Sequence, residues 1–361
     1  MDPMYDEIYE GYFAAPRGVE RIAVLEELVR LADSNNDIDV AYQARRQLTG
    51  DCIDFGVPEK GIVAFSWCMT QFDKNEDLDN WHSLLWQYKT ILELIPIFAT
   101  VSRDQIVSMQ EDMARRLAHY GETERTAHYY RSWNFMRMGE YDLAFEHQQK
   151  YRDMRRTGIS DCTACERDRQ VELACRMGDD EECLKKAKQI MSGRMSCGEV
   201  PEFTNAHITR SQLRLGMVDK ATARQVKGYN AVRRERKYLG TIGDLLLVVV
   251  HIKDFKSGLS QVVRHLPWAV EAAAGELKFR FYCAVAMFFE AFSNEYKRPR
   301  KIRIPRELSC WREDDKYDMK ELGAWFAVEA ADLARQFNDR NGNDRYTEII
   351  ADTRRVVGLS E

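Results

Sequence analysis

Apolar residues recur at spacings of three and four along nearly the whole chain. Between Val19 and Asp33 they are Ile22, Leu25, Leu28, Val29 and Ala32, which share one face of a helix. Ser34 to Asp37 is a polar break that offers N-cap oxygens to a second helix, about Ile38 to Phe55. The turn Gly56-Val57-Pro58 ends it, and a third helix runs from Gly61 to Phe72. After the polar stretch Asp73 to Asp79, an aromatic helix is expected from Trp81 to Ile95, stopped near Pro96. Ser102 then caps one from Arg103 to Tyr120. Arg125 to Met154 holds two amphipathic helical runs hinged on Gly139-Glu140-Tyr141, with the small Ala144 three residues on. Regular runs of alternating strand residues are missing, so the pattern predicts an all-α fold.

The hinges are periodic. Gly139, Gly178, Gly216 and Lys253 stand 39, 38 and 37 residues apart, and Gly56 lies 83 residues before Gly139, two steps with a weak hinge near Thr100 between them. Gly18 stands a further 38 residues back. Small residues follow the hinges in register: Ala144, Cys183, Ala221 and Gly258. A Gly-x-Tyr-x-x-Ala turn at this spacing resembles the tetratricopeptide repeat, in its degenerate form, because each unit here is longer and the family's other Gly and Pro are mostly missing. The resemblance implies a right-handed α-solenoid of seven to eight helical hairpins forming one continuous domain. It divides the chain into an N-terminal arm (1–17), repeats (18–275) and a C-terminal helical cap (276–361).

The cap departs from the rhythm. Glu276 to Tyr296 is apolar on nearly all sides and should be sandwiched between other helices. In the loop 298–317, Pro299 and Pro305 bar a regular helix. Met319 to Phe337 resumes a helix, Asn338 to Asn343 turns, and Asp344 to Val357 is amphipathic enough to close the stack.

Composition narrows the function classes. The 361 residues are 45% hydrophobic, which suits a folded globular chain, and 53 basic against 58 acidic residues leave a net charge of -5. That balance favours neither nucleic acid nor an anionic membrane as principal partner. The start MDPMYDEIYE is not a signal peptide, and the longest strongly apolar run, Leu245 to Val250, cannot span a bilayer. A cytosolic protein is expected. Two basic clusters stand out locally: Arg233, Arg234, Arg236 and Lys237; and Arg298, Arg300, Lys301, Arg303 and Arg306 in the proline-bounded loop. Either could take phosphate groups or an acidic protein surface.

Candidate catalytic chemistry is sparse. Cys162-Thr-Ala-Cys165, with Cys175, Cys183 and Cys197 nearby, has the strongest metal-like spacing, but a structural zinc site wants four ligands, usually as two pairs, and only one pair is present. Cys175 and Cys183 fall on the two helices of one hairpin, where packing accounts for them. The seven histidines are dispersed, and no phosphate-binding loop or nucleophile motif is found. No catalytic residue, metal or cofactor is assigned.

The expected site is therefore a surface. In tetratricopeptide arrays the first helix of each hairpin lines the inner groove, and the resemblance points Tyr129, Trp133 and Arg137 inward, with Arg46, Asp168, Arg210 and Arg214 in neighbouring units. The arginines, being hard to bury, should be exposed. Aromatics interleaved with arginines suit an extended peptide or a partner helix with acidic groups. The leading function is a non-enzymatic scaffold or adaptor that binds a protein or peptide in this groove; the sequence leaves homodimerisation open. Bacterial cytosolic receptors for short signalling peptides are similar in size and also built from degenerate tetratricopeptide-like repeats. They carry an N-terminal effector domain, for which about 17 residues before the first repeat helix leave little room. A regulatory subunit of a separately encoded enzyme is the third expectation.

Overall fold

The helical pattern read from the sequence is realised in the computed structural model, which describes residues 3–16 and 18–359. Seventeen α-helices occur among them: α1 (Pro3–Ala14), α2 (Val19–Ser34), α3 (Ile38–Asp54), α4 (Pro58–Phe72), α5 (Trp81–Leu94), α6 (Arg103–His119), α7 (Arg125–Arg137), α8 (Tyr141–Asp153), α9 (Thr163–Met177), α10 (Asp180–Met191), α11 (Glu202–Arg214), α12 (Val218–Val232), α13 (Leu239–His251), α14 (Phe255–Glu271), α15 (Gly275–Glu295), α16 (Met319–Asn341) and α17 (Arg345–Val357). Neighbouring helices pack on one another, as a helical repeat requires.

Every hinge of the periodic series falls between an odd-numbered helix and the next even one. Gly56, Gly139, Gly178, Gly216 and Lys253 adopt the left-handed conformation there, with φ between 58° and 81°. The connection at Thr100 instead follows a short 3-10 helix, Ile95–Ile97, which explains its weak signal. Ser102 and Gln105 form the reciprocal capping box that starts α6, and Asp37 caps α3 by accepting from the Val40 amide. The small residues after the hinges are closely packed: Ala144, Cys183 and Ala221 are fully buried, and a Cβ on Gly258 would lie 2.3 Å from Phe288 Cε2.

The chain forms two compact units, residues 1–130 and 131–361, so the division falls within α7. The segment 276–361, which the broken periodicity sets apart, belongs to the same unit as the helices from 131 onward. In unit 1 the segment read as an arm is largely α1, whose Tyr5 and Tyr12 are buried against α2 and α3; Arg17 lies outside the described residues. In unit 2 the core centres on α13 and α15, with Leu245, Leu246, Phe281, Val285, Phe288, Phe289 and Phe326 almost wholly enclosed. As expected from its all-round apolarity, α15 packs against α13, α14, α16 and α17.

Three features differ from the sequence expectations. A two-residue antiparallel ladder, β1 (Arg300–Lys301) with β2 (Lys316–Tyr317), closes the proline-bounded loop; it is too short to leave a periodic signal. Its continuation buries Ile302 and Ile304 and exposes Arg303, so the loop is pinned to the core. The helix expected to end at Phe337 runs one turn further, to Asn341, and stops at the left-handed Gly342. Finally, α17 does more than cover the end of the stack. Tyr346 Oη donates to Arg137 O at 3.1 Å and Asn343 Nδ2 to Met138 O at 2.9 Å, while His251 Nδ1 lies 3.1 Å from Val356 O. It thereby reaches from the end of α7 to the end of α13, satisfying carbonyls that helix ends leave open.

Candidate binding site

The site is built from pairs of charged residues one helical turn apart. On α9, Glu172 and Arg176 share a face; on α11, His207, Arg210 and Arg214 do; on α15, Glu276 and Arg280 do. Together with Asp244 of α13 and Tyr346, Ile349, Asp352 and Arg355 of α17, they line a cavity of about 360 Å³ in unit 2. Its volume lies in the range of small-ligand and peptide sites.

Behind the wall lies a buried ion-pair network. Arg137 Nη1 lies 2.5 Å from Glu276 Oε1, and its Nη2 lies 3.0 Å from Glu172. Arg176 bridges the same two carboxylates, at 2.9 Å and 3.0 Å. Arg280 pairs with Asp244. At the α17 side, Asp352 Oδ2 is gripped by Arg210 at 2.7 Å and Arg214 at 2.6 Å, and Arg214 also meets Asp180 at 3.0 Å. Burial pushes the Glu172 and Glu276 carboxyls up, and the charges of Arg137 and Arg176 outweigh it, holding Glu172 well below the ordinary carboxylate range and Glu276 below it. Asp244 and Asp352 are lowered in the same manner, against burial, by Arg280 and by Arg210 with Arg214 respectively. Burial lowers Arg137 despite its two carboxylate partners.

These carboxylates are therefore fixed anions at neutral pH, suited to holding charge rather than exchanging protons. The Cys175 thiol of the wall is lowered to about 6, chiefly by a hydrogen bond with Cys183, which is raised in turn. Cys175 Sγ lies 3.4 Å from the His207 carbonyl oxygen. Two buried polar atoms of wall residues, Glu276 Oε2 and His207 Nε2, have no hydrogen-bond partner among the described residues.

Of the residues expected to form a groove, Arg210 and Arg214 line this cavity and Arg137 stands in the network behind it. The expectation that the arginines are exposed is corrected throughout: Arg137 is buried, with two carboxylates stabilising its charge there, and Arg46, Arg210 and Arg214 are half-buried. Trp133 and Tyr129 are also buried rather than presented as platforms. Trp133 packs with Met136, Tyr141, Ala144 and Leu173, and the guanidinium carbons of Arg169 and Arg137 lie 3.5 Å and 4.1 Å from its ring centroid. Asp168 is enclosed between α9 and α11, accepts from Thr204 Oγ1 at 2.5 Å, and is raised by burial. Arg46, in unit 1, is held by Asp79 at 2.9 Å and by Ser83 and Gln87.

In the basic loop, Arg300 lies over Tyr296 and Phe292, and Arg306 over Trp311. Arg298, Lys301 and Arg303 are exposed. In the other basic cluster, Lys237 pairs with Glu199 at 3.0 Å and Arg236 with Glu271.

The sequence reading missed Arg176, Arg280, Glu172 and Glu276. A signal for the first was available: Arg137, Arg176, Arg214 and His251 all stand two residues before their hinge, as RMG, RMG, RLG and HIK. No protein-family model matches the chain, and no curated protein matches it either.

Proposed function

We propose that unit 2 is a non-enzymatic binding module for an acidic peptide segment, with the charged cavity beside α17 as its recognition site. The observation that carries this reading is the clamp of Arg210 and Arg214 on Asp352: the wall already accepts a helix-borne carboxylate. The unpartnered Glu276 Oε2 supports a ligand that also brings hydrogen-bond donors, as a peptide backbone or amino group does. The lowered carboxylates supply no group poised for proton transfer, which favours recognition over acid–base catalysis. In this reading the hairpins α7 to α14 are tetratricopeptide-like and stacked as a right-handed solenoid, and the protein works in the cytosol as an adaptor or as a sensor of short peptides. The hinge period is what supports the solenoid assignment.

The test is fluorescence-polarisation binding of a labelled library of short peptides graded in Asp and Glu content. Affinity should rise with acidity, and Arg210→Gln with Arg355→Gln should weaken it by at least about tenfold, or 1.4 kcal/mol, while the helical circular-dichroism signal is retained. Binding that ignores peptide charge, or that survives both substitutions, would overturn the reading.

A further inference from the structure

The linear sequence offers a single CxxC pair, but the fold adds a third sulfur. Cys162 is the N-cap of α9 and Cys165 lies in its first turn; Cys197 comes from the connection between α10 and α11. The three Sγ atoms all lie within 4.8 Å of one another, and Cys162 Sγ and Cys165 Sγ are 3.0 Å apart and unbridged.

The position of Cys197 is built. Its amide donates to Val200 O at 3.0 Å and its carbonyl accepts from the Val200 amide at 3.4 Å, closing a tight turn around Gly198-Glu199. Val200 is buried in the same cluster as Ala164, so the turn is anchored against the start of α9. On the other side, the Cys165 amide donates to Cys162 Sγ at 3.2 Å, which places a backbone donor on a sulfur at a helix N-terminus.

Cys165 rests on the cluster around Val171, but packing does not account for Cys162 and Cys197. Cys52, Cys68, Cys183 and Cys283 are buried and behave as small core residues, and Cys175 is buried in the cavity wall, whereas Cys162 and Cys197 are exposed and Cys165 is half-buried. Three thiols converging at a surface, from two segments about 30 residues apart in sequence, make a donor set for a soft or borderline cation.

We propose that Cys162, Cys165 and Cys197 bind one Zn²⁺ ion as three thiolates, with the fourth tetrahedral position open to water or an external ligand. Zinc–sulfur bonds of about 2.3 Å put bound sulfurs about 3.8 Å apart in a tetrahedron, a separation reached by small side-chain rotations within this cluster. Binding releases the thiol protons to solvent, and no oxidant or reductant takes part. Among the described residues no fourth Cys, His, Asp or Glu joins the cluster. The ion would fasten the 192–201 connection to the first turn of α9.

The experiment uses the full-length protein, reduced with a non-chelating phosphine and dialysed against buffered Zn²⁺, with metal content measured by mass spectrometry. One equivalent of Zn²⁺ is expected, and Co²⁺ in its place should give a thiolate-to-cobalt charge-transfer band. Cys197→Ser should weaken Zn²⁺ binding by more than about tenfold and remove that band, whereas Cys310→Ser should leave both unchanged. Because Cys197 sits in an exposed turn, the melting temperature in chelator should match that of the parent, which separates loss of metal from loss of fold. Metal uptake that is absent in the reduced parent, or undiminished in Cys197→Ser, would overturn the proposal; so would a Cys162–Cys165 disulfide that re-forms in place of metal binding.

Discussion

At Gly243 the fold depends on the absence of one atom. A Cβ there would lie 2.8 Å from Arg280 O and 2.9 Å from Phe281 Cα, both backbone atoms of α15 that cannot step aside. This close approach also brings Asp244 onto Arg280, so core packing and the cavity wall are set by the same contact. Gly243→Ala should therefore cost about 1–3 kcal/mol in urea denaturation, despite the better helix propensity of alanine. An unchanged or raised midpoint would refute the contact. Single residues also show where the sequence was readable. The small residues Ala144, Cys183, Ala221 and Gly258 were legible because each stands five residues after its hinge, at a point of close helix packing. Trp133 and Tyr129 were not, since an aromatic on such a helix suits the core and a groove equally well, and only the residues packed around it decide. Arg137 was misread for a related reason: the cost of burying a guanidinium is countered by Glu276, 139 residues away in sequence.

Among the elements, α17 decides what the cavity can take. Its amphipathic pattern was legible from the sequence, but its destination was not, because periodicity records which face is buried and not which surface buries it. Tyr346, Asn343 and Arg345 satisfy the carbonyls of Arg137, Met138 and Gly139, whereas the other half is held by Asp352 in its arginine clamp, by Arg354 on Glu290 and by the buried Val356 and Val357. The two halves should respond differently to substitution. Asp352→Asn weakens the clamp without emptying the space, so hydrogen exchange should speed up at residues 350–357 and stay slow at 345–348. If Asp352 stands where a ligand carboxylate would bind, the same variant should bind acidic peptides more tightly than the parent, by up to about tenfold, because the internal competitor is weakened. Faster exchange without tighter binding would leave α17 as structure only and count against the proposed site. The basic loop is a second case of partial legibility. Its prolines excluded a helix, yet the alternation that buries Ile302 and Ile304 spans too few residues to stand out.

Across the whole chain, the hinge period was the most legible feature, because Gly56, Gly139, Gly178, Gly216 and Lys253 share one left-handed conformation at nearly one spacing. The boundary at 130/131 was not, since α7 runs through it without a break in pattern. Acid stability follows from groups that span unit 2. His265 is buried, with Tyr229 Oη 3.1 Å from its Nε2, and burial, helped by the charge of Arg264, lowers it from 6.5 to about 4. The unfolded chain therefore takes up a proton near pH 6.5 that the folded chain refuses, so stability should decline from pH 6.5 towards pH 4. Glu172, Glu276, Asp244 and Asp352 are also lowered by folding, so their contribution is complete above the unfolded carboxylate range and is lost as pH falls below it. The two declines should separate in urea denaturation at a series of pH values from 7.5 to 3. His265→Gln should flatten the first, whose slope cannot exceed about 1.4 kcal/mol per pH unit for one proton. Glu276→Gln should flatten part of the second, and at pH 7 it should cost about 3 kcal/mol because Arg137 loses one of its buried partners. Equal slopes between pH 6.5 and 4 in His265→Gln and the parent would show that the buried imidazole is not what makes the folded chain acid-sensitive there.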